Sequence, residues 1–525
     1  MNTSKLPKKT SLAASTKASF TAYACLVYLA LPLFAFLLGW VLLPLGLVLA
    51  AGLGWVLFKI YQNYIVRPIF LGKLSHFSAR RLILCAFLAL AWLFSGGFGE
   101  FIFTNYDWQM RGAILHDLTL TGWPTSYGVA EDGKTLLLRL PLGYYLIPSL
   151  IGKIGGLSVA YFAAFLYASF GAFLFLALAT ETTKKLRNTI IILVVVVLFS
   201  GMKIIGLMML YATNVLHYGS SFPFKWPTYM HMWSGFAHYS ATTTELYWSP
   251  NHALPGMLLA ALWWRYRDNA RLLQLVMLAT PLAILWSPLA TIGIVPFLIY
   301  SLFQYRHKLF VRLPPLLLVV PIIVILPVLA YLTSNAENVP GYWVIFKFIW
   351  APMGILTRYL PFVLLEFGIL IYFLYKAQPQ RILIVIMVVL AALPMYWLGF
   401  YSDFAQQAAI ASLTVLSLIT ASWLATNTGK KVNNFRYDIA VIIILVIGSI
   451  TPIQEIGIDY IMPRWNYEPH CTLLEAWRQS KINPNLSLQI AALTEPLKFL
   501  SLMNNVDPSL TPEKSCWPNL KPFKP

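Results

Sequence analysis

Apolar runs long enough to cross a lipid bilayer recur along the whole chain, separated by short polar gaps. About 20 consecutive apolar residues span the hydrocarbon core of a membrane as a helix. The pattern therefore predicts an all-α, polytopic membrane protein with about thirteen spans. These lie near residues 21–39, 41–60, 82–98, 157–180, 188–211, 250–265, 270–286, 288–304, 313–332, 359–376, 382–400, 404–425 and 438–453.

The polar segments divide the chain into three parts. A basic tail over residues 1–20 precedes a transmembrane domain over 21–453, and a small external tail over 454–525 follows it. Two long loops, residues 99–156 and 212–249, are predicted on the same side as this tail. The opposite loops are too short for a catalytic domain. Any chemistry is therefore expected on the external face, where surface helices would lie along the membrane.

Charge fixes the expected orientation. Charged residues make up only 11% of the 525-residue chain and hydrophobic residues 59%, far from the balance of a soluble protein. More than half of the 38 Lys and Arg residues fall in alternate gaps, as the positive-inside rule requires. This places the protein in a bacterial inner membrane, with the N-terminus cytoplasmic and the C-terminus periplasmic. The net charge of +19 forms no basic stripe, so nucleic acid is not an expected partner.

The four cysteines separate into two pairs. Cys25 and Cys85 lie inside apolar spans and are expected to be packing residues. Cys471 and Cys516 both lie in the external tail, where an oxidising compartment permits a disulfide bond between them. Two unpaired thiols are the alternative.

The strongest functional signal follows the third span, in the segment GGFGEFIFTNYDWQMRGAILHDLTLTGWP over residues 96–124. Asp107 and Arg111 are four residues apart on a predicted surface helix and therefore share a face. An external carboxylate at the membrane surface suits a general base, although a helix-capping role paired with Arg111 explains Asp107 equally well. His116 and Asp117, near the end of the same helix, are candidate substrate-binding residues, although a solvated face is the simpler interpretation.

The next segment, RLPLGYYLIPSL, leads through Pro141 into an apolar stretch too short to span a bilayer. Together with Asp107 in TNYDWQMRGAILHDL, this order resembles the GT-C superfamily of membrane glycosyltransferases, in which an early external loop carries an acidic residue before surface helices and a half-helix. The resemblance implies a sugar donor linked to a polyprenyl phosphate and Asp107 as the base. It also implies Arg111, His116 and Arg139 as phosphate partners, with Arg358 as a late-loop arginine for the same phosphate.

The second long loop is rich in aromatic residues and histidines. Glu245 and His252, in ELYWSPNHALPG, flank the mouth of a predicted span and are candidate substrate contacts. An interfacial aromatic belt is the alternative explanation for the loop. Spacings of 14, 7 and 14 residues between His217, His231, His238 and His252 match no compact zinc motif, so no metal site is predicted and a need for a divalent cation is left open.

Further polar residues lie at or inside the later spans. Asp403, in the short external turn GFYSDFAQQ, either lines the same cavity as Asp107 or caps a helix. Glu366 lies within an apolar run, where burial of a charge is costly, so it is either a site residue or a protonated structural acid. Lys203 and Arg358 near span ends suit long side chains that reach the interface.

Three functions are compatible with this pattern. The first is an integral membrane glycosyltransferase that moves a sugar from a polyprenyl-phosphate carrier to a glycan or lipid acceptor, with Asp107 as base. A transporter or flippase of a lipid-linked glycan or small solute is the second, for which paired broken helices and intramembrane acids are the expected signs. A non-catalytic membrane scaffold is the third. The sequence does not identify the sugar or the acceptor.

Overall fold

The computed structural model describes residues 17–65, 76–105, 107–218, 230, 233–336, 339–344, 355–399, 402–427, 435–462, 471–479, 489–495, 497–507 and 516. This part of the chain is mostly helical. Its helices are α1 (Phe20–Gly39), α2 (Leu43–Tyr64), α3 (His76–Ser95), α4 (Asp107–Leu120), α5 (Leu146–Gly155), α6 (Leu157–Thr180), α7 (Leu186–Val197), α8 (Lys203–Tyr218), α9 (Thr242–Trp248), α10 (Pro250–Tyr266), α11 (Ala270–Ala279), α12 (Pro288–Ile292), α13 (Val295–Tyr305), α14 (Pro315–Thr333), α15 (Leu360–Val363), α16 (Ile369–Ala377), α17 (Arg381–Ala392), α18 (Asp403–Asn427), α19 (Phe435–Ile461) and α20 (Leu473–Gln479).

Within the described ranges, nine helices are long and apolar enough to cross a membrane, so the predicted count of thirteen is not confirmed. The other four predicted spans coincide with shorter helices. For example, α10 has 17 residues and α17 has 12, which at 1.5 Å per residue fall short of a full crossing. The nine are Phe20–Gly39, Leu43–Tyr64, His76–Ser95, Leu157–Thr180, Pro288–Leu309, Pro315–Thr333, Thr357–Ala377, Asp403–Asn427 and Tyr437–Ile461.

One predicted span, residues 188–211, is broken into α7 and α8. The backbone of the break is satisfied by neighbouring elements. The Met202 amide donates to the Leu365 carbonyl (2.9 Å), and the Thr242 amide donates to the Phe199 carbonyl (3.0 Å). Irregular backbone at membrane depth is tolerated only where other protein groups satisfy it in this way.

The fold is not entirely α-helical as predicted, because the described residues also form two small sheets. The larger has the strand order β5–β2–β1–β6, built from β1 (Thr125–Val129), β2 (Thr135–Leu138), β5 (Ile490–Leu493) and β6 (Asn504–Asn505); the smaller pairs β3 (Gly341–Trp343) with β4 (Tyr396–Leu398). β1 and β2 form an antiparallel hairpin around an Asp-Gly turn, in which Gly133 has a positive φ of 80°. That turn signal went unrecognised in the sequence.

The larger sheet joins the first long loop to the C-terminal tail. β2 pairs antiparallel with β5, and β1 pairs parallel with β6. In each of these pairs, the two strands are therefore far apart from each other in the chain. The tail also starts later than predicted, because α19 continues to Ile461 instead of ending near residue 453.

The buried core runs through α6, α10 and α18, in which most residues are buried. Close packing at α18 depends on small residues. A Cβ atom added at Gly293 would lie 2.3 Å from the Ala408 carbonyl oxygen, and one added at Gly256 would lie 2.6 Å from the Ile410 side chain. Small residues allow helix backbones to approach closely in membranes. This packing holds the first turns of α18 against α10.

Candidate active site

The first turn of α4 is fixed by Asn105. Its side-chain oxygen accepts the Asp107 amide (3.2 Å), and its side-chain nitrogen donates to the Tyr247 carbonyl (3.1 Å). The Trp108 indole donates to that same carbonyl (2.9 Å). Because Asn105 satisfies the Asp107 amide at the helix start, the Asp107 carboxylate is not needed for capping. The alternative of Asp107 as a cap is therefore not what the structure contains, although its pairing with Arg111 is.

The Asp107 carboxylate is half-exposed at the start of α4. Its side chain is 49% exposed, yet the surrounding protein raises the pKa of Asp107 by desolvation, while Arg111 opposes the shift. The ion pair is loose, with 3.6 Å between Asp107 Oδ2 and Arg111 Nη2. A carboxylate that water reaches, and that protein atoms closely surround, can accept a proton from a bound hydroxyl group.

Arg111 connects four segments. Its guanidinium donates to the Tyr145 hydroxyl (3.0 Å), the Asn251 side-chain oxygen (2.8 Å) and the Trp248 carbonyl (2.6 Å). The side chain is only 12% exposed. The planar fork of Arg suits several simultaneous acceptors. Arg111 therefore holds α4, the start of α5, α9 and α10 together behind Asp107, and its predicted contact with a phosphate stays a prediction.

Glu245 is the second carboxylate of the site. It is 4% exposed on α9, and its Oε2 accepts a hydrogen bond from Gln406 Nε2 (3.0 Å). Its Oε1 is buried with no hydrogen-bond partner among the described residues. Burial raises the pKa of Glu245 to about 7, while Arg111 lowers it and Asp403 raises it. Glu245, Arg111 and Asp403 thus share one electrostatic neighbourhood.

Asp403 starts α18 next to Gly399. A Cβ atom added at Gly399 would lie 1.7 Å from Asp403 Oδ2, so the carboxylate packs directly against this glycine, whose φ is +81°. Asp403 is the first residue of the helix rather than its cap. Asp403 is close enough to Glu245 to raise its pKa, and the hypothesis that Asp403 lines the same cavity as Asp107 stays a prediction.

His252 lies in the first turn of α10, beside the site. Its Nδ1 is 2.7 Å from the Ser287 hydroxyl, and its Nε2 is 3.1 Å from the Asn251 side-chain nitrogen. Ser287 caps α12 through the Ala290 amide. His252 therefore links α10 to α12 and to Asn251, one of the acceptors for Arg111.

The prediction of a solvated face for His116 and Asp117 is wrong, because both residues are buried. His116 Nδ1 lies 2.9 Å from Asp117 Oδ1, and Asp117 Oδ2 accepts the Tyr127 hydroxyl (2.7 Å) and the Leu473 amide (2.8 Å). These contacts bind the tail to α4. Asp107 and Asp117 are ten positions apart on α4, so the two residues lie about 15 Å apart along the helix axis.

The two remaining predicted arginines are not placed in the cluster. Arg139 follows β2 and is buried, with its amide donating to the Gln489 carbonyl (2.7 Å) at the junction with the tail. Arg358 is exposed on a π-helical turn, Ile355–Tyr359. Neither contacts Asp107 or Glu245 among the described contacts, so their roles as phosphate partners stay predictions.

The predicted disulfide is confirmed: Cys471 and Cys516 are bonded, with their Cα atoms 5.8 Å apart. Among the residues that the structure describes, no group of three or more His, Cys, Asp or Glu side chains is arranged to hold a metal ion. His231 and the His217 side chain lie outside the described residues.

Several contributing residues were missed in the sequence. Gln406 and Asn251 are uncharged and far apart in the chain, and no local pattern marks them. Glu455 is different. Its carboxylate accepts the Trp248 indole N–H and the Thr244 hydroxyl (3.5 Å), and Asp459 follows one turn later. Two acids four residues apart at the end of an apolar helix were the available signal.

No family model, no curated protein and no solved structure matches this chain. The basis for assigning a function is therefore the geometry of one cluster, formed by Asp107, Arg111, Glu245 and Asp403.

Proposed function

We propose that this protein is an integral membrane glycosyltransferase that moves a sugar from a polyprenyl-phosphate carrier to a hydroxyl group of a glycan or lipid acceptor. One observation carries the proposal. Asp107 is an accessible carboxylate shortly after a candidate span, and it is backed by a mostly enclosed Arg111 and a second acid, Glu245. A base and charge-stabilising groups at the membrane surface are what glycosyl transfer from a lipid phosphate requires.

The chemical step balances as a displacement. Asp107 accepts the proton of the acceptor hydroxyl, and the resulting oxygen forms a bond to the anomeric carbon of the sugar. The bond from that carbon to the carrier phosphate breaks, and its electron pair leaves with the phosphate. Protonated Glu245 donates a hydrogen bond to the developing anion, since its pKa of about 7 keeps a large protonated fraction near neutral pH.

We also propose that the cluster around Asp107 faces the periplasm of a bacterial inner membrane, with the N-terminus in the cytoplasm. The asymmetry of basic residues between alternate gaps supports this orientation. The disulfide in the tail supports it as well, because such bonds persist in oxidising compartments.

A deletion strain complemented with wild type, Asp107→Asn or Asp132→Asn tests the activity, after all three proteins are shown to be present in the membrane. Asp132 is the matched control, since it is exposed and paired with Lys134 in a turn away from the cluster. Mass spectrometry of surface glycans and lipid-linked sugars is expected to show a missing sugar restored by wild type and Asp132→Asn. Asp107→Asn is expected to transfer at least about 100-fold more slowly. Full rescue by Asp107→Asn removes Asp107 as the base.

A transporter of a lipid-linked glycan is the second candidate, favoured by the broken helix between α7 and α8. Lys203 at the start of α8 is buried and donates to the Glu366 carboxylate and the Tyr239 carbonyl. The Trp233 indole donates to the other oxygen of Glu366 (2.7 Å). Ionisable groups at a helix break are typical of transporter sites. Loss of a surface glycan in the deletion strain, with accumulation of its complete lipid-linked precursor on the cytoplasmic side, favours this function.

A further inference from the structure

Gln406 is a half-buried residue whose side-chain amide makes hydrogen bonds at both ends. Its Oε1 lies 2.9 Å from His238 Nε2. Its Nε2 donates to Glu245 Oε2 (3.0 Å) and to the Ser240 hydroxyl (3.2 Å). An amide oxygen only accepts and an amide nitrogen only donates, so the arrangement requires His238 to carry its proton on Nε2.

His238 is held in the neutral form that this arrangement needs. Burial and the charge of Lys203 together lower the pKa of His238 to about 4, while the hydrogen bond with Gln406 opposes the shift. The segment that carries His238 is fixed in turn, because Lys203 donates to the Tyr239 carbonyl and the Tyr239 hydroxyl donates to the Leu390 carbonyl (2.5 Å). The ring of His238 therefore has one stable tautomer and one position.

The orientation of Gln406 also bears on which oxygen of Glu245 carries the proton. Because Oε2 already accepts the Gln406 N–H, the proton of the neutral carboxyl group belongs on Oε1. Oε1 is the buried oxygen that has no hydrogen-bond partner among the described residues. A buried polar atom without a partner calls for a specific explanation, such as a ligand that completes it.

We propose that Gln406, oriented by His238, is a positioning residue that fixes the proton of Glu245 on Oε1 and so presents Glu245 as a hydrogen-bond donor to an anionic ligand oxygen. The choice of a phosphate oxygen of the lipid carrier as that ligand rests on the proposed glycosyltransferase function. The position of the proton on Glu245 does not rest on that function, and a separate experiment tests it.

Other charges also act on Glu245 and enter its titration. Arg111 on α4 lowers the pKa of Glu245, Asp403 on α18 raises it, and the Ser240 hydroxyl also lowers it. Across α9, Glu455 bonds to Thr244 and Trp248, and Asp459 acts on Tyr247. Removing the Gln406 donor leaves all of these groups in place, so a change in the titration of Glu245 reports the lost hydrogen bond.

Infrared difference spectroscopy of the purified full-length protein in lipid nanodiscs tests the position of the proton without any turnover. The carboxylic acid band lost in Glu245→Gln identifies Glu245, and its pH titration in wild type is expected to have a midpoint near 7. Gln406→Leu removes the donor and is expected to raise that midpoint by about one pH unit and shift the band frequency. Gln274→Leu is the control, since Gln274 is a fully buried glutamine whose side chain bonds to Tyr64 and Leu309 and not to Glu245.

A destabilising effect alone lowers the thermal midpoint in both glutamine variants and leaves the Glu245 band in place. An unchanged band and midpoint in Gln406→Leu overturns the inference, as does the absence of any Glu245 band near pH 7. If Gln406→Leu does not fold, the nearly isosteric Gln406→Glu replaces it, and a second coupled carboxyl titration with a raised midpoint is the expected result. A shifted band without any sugar transfer in wild type supports the proton position and rejects the glycosyltransferase.

The pH profile of transfer supplies the second readout. Wild type is expected to lose activity as pH rises above about 7, where Glu245 loses its proton, and Gln406→Leu is expected to move this limb upward with the infrared midpoint. If the infrared band of Glu245 moves in Gln406→Leu but the decline in transfer activity stays at the same pH, the titration of Glu245 does not control the reaction.

Discussion

The Leu473 amide donates a hydrogen bond to Asp117 Oδ2 over 2.8 Å, joining residues that are 356 positions apart in the chain. Leu473 begins α20, so a carboxylate from α4 satisfies an amide at the start of a helix in the tail. The Tyr127 hydroxyl and the His116 ring complete the acceptor sites of the same carboxylate. The tail is therefore fastened to the helix whose other end carries Asp107.

Asp117→Ala is expected to loosen this attachment. It leaves the buried Leu473 amide and the Tyr127 hydroxyl without their acceptor, which costs about 2–4 kcal/mol. Hydrogen exchange over residues 471–479 is expected to accelerate in the variant, and limited proteolysis is expected to cleave the tail sooner. The exposed Asp132→Ala serves as control. Unaltered exchange in α20 contradicts the view that Asp117 holds the tail.

Reduction or replacement of the disulfide acts on the same segment. Cys471 and Cys516 close a loop with a sequence separation of 45, which corresponds to about 4 kcal/mol in the chain-entropy model. Cys471→Ser with Cys516→Ser is expected to lower the thermal midpoint of the tail without changing the number of cysteines in the spans.

Thiol labelling also tests the proposed orientation. In intact spheroplasts, a membrane-impermeant reagent is expected to label Cys471 and Cys516 only after reduction, while the buried Cys25 and Cys85 stay unlabelled. Labelling of the reduced tail only after the membrane is opened would place the tail in the cytoplasm and reverse the orientation.

Arg111→Lys is expected to damage the site despite the retained charge. An ammonium group cannot reproduce the planar contacts to Tyr145, Asn251 and the Trp248 carbonyl at once. Loss of one or two such bonds costs about 2–3 kcal/mol of folding stability. Thermal unfolding in nanodiscs measures the loss, with the exposed Arg358→Lys as control. A thermal midpoint equal to that of wild type indicates that Arg111 does not hold the four segments together.

The titration of Glu245 also predicts how stability depends on pH. The folded-state pKa of about 7 lies above the ordinary value of 4.5, so the folded protein binds the proton more tightly than the unfolded chain. The resulting stability is present at low pH and is lost as pH rises through 7. Its full size is on the order of 3 kcal/mol.

Thermal midpoints from pH 5 to pH 8 check this sign. Wild type is expected to lose stability relative to Glu245→Gln across the interval, because glutamine carries no titrating proton. A difference between the two proteins that stays constant with pH assigns the slope to other groups, of which Asp107 and Asp403 are the nearest in the site.

The sequence by itself determined the features that depend on local composition. Long apolar runs such as Leu157–Thr180 form spans wherever they occur, because lipid accepts an apolar helix regardless of its neighbours. The pairing of Cys471 with Cys516 was predictable as well, since only these two cysteines lie outside the spans. The candidate site residues were predictable because they are polar residues near the ends of such runs: Asp107, Arg111, Glu245 and Asp403.

Tertiary structure decided how these residues meet. Arg111 and Asn251 are 140 positions apart and Gln406 and Glu245 are 161 apart, so no local pattern reports their contacts. Contacts between distant parts of the chain also account for the sheet between the first loop and the tail, the burial of Asp117 and the break before Lys203. Buried polar groups must find partners wherever the packed chain supplies them, and that requirement is satisfied over long distances in sequence.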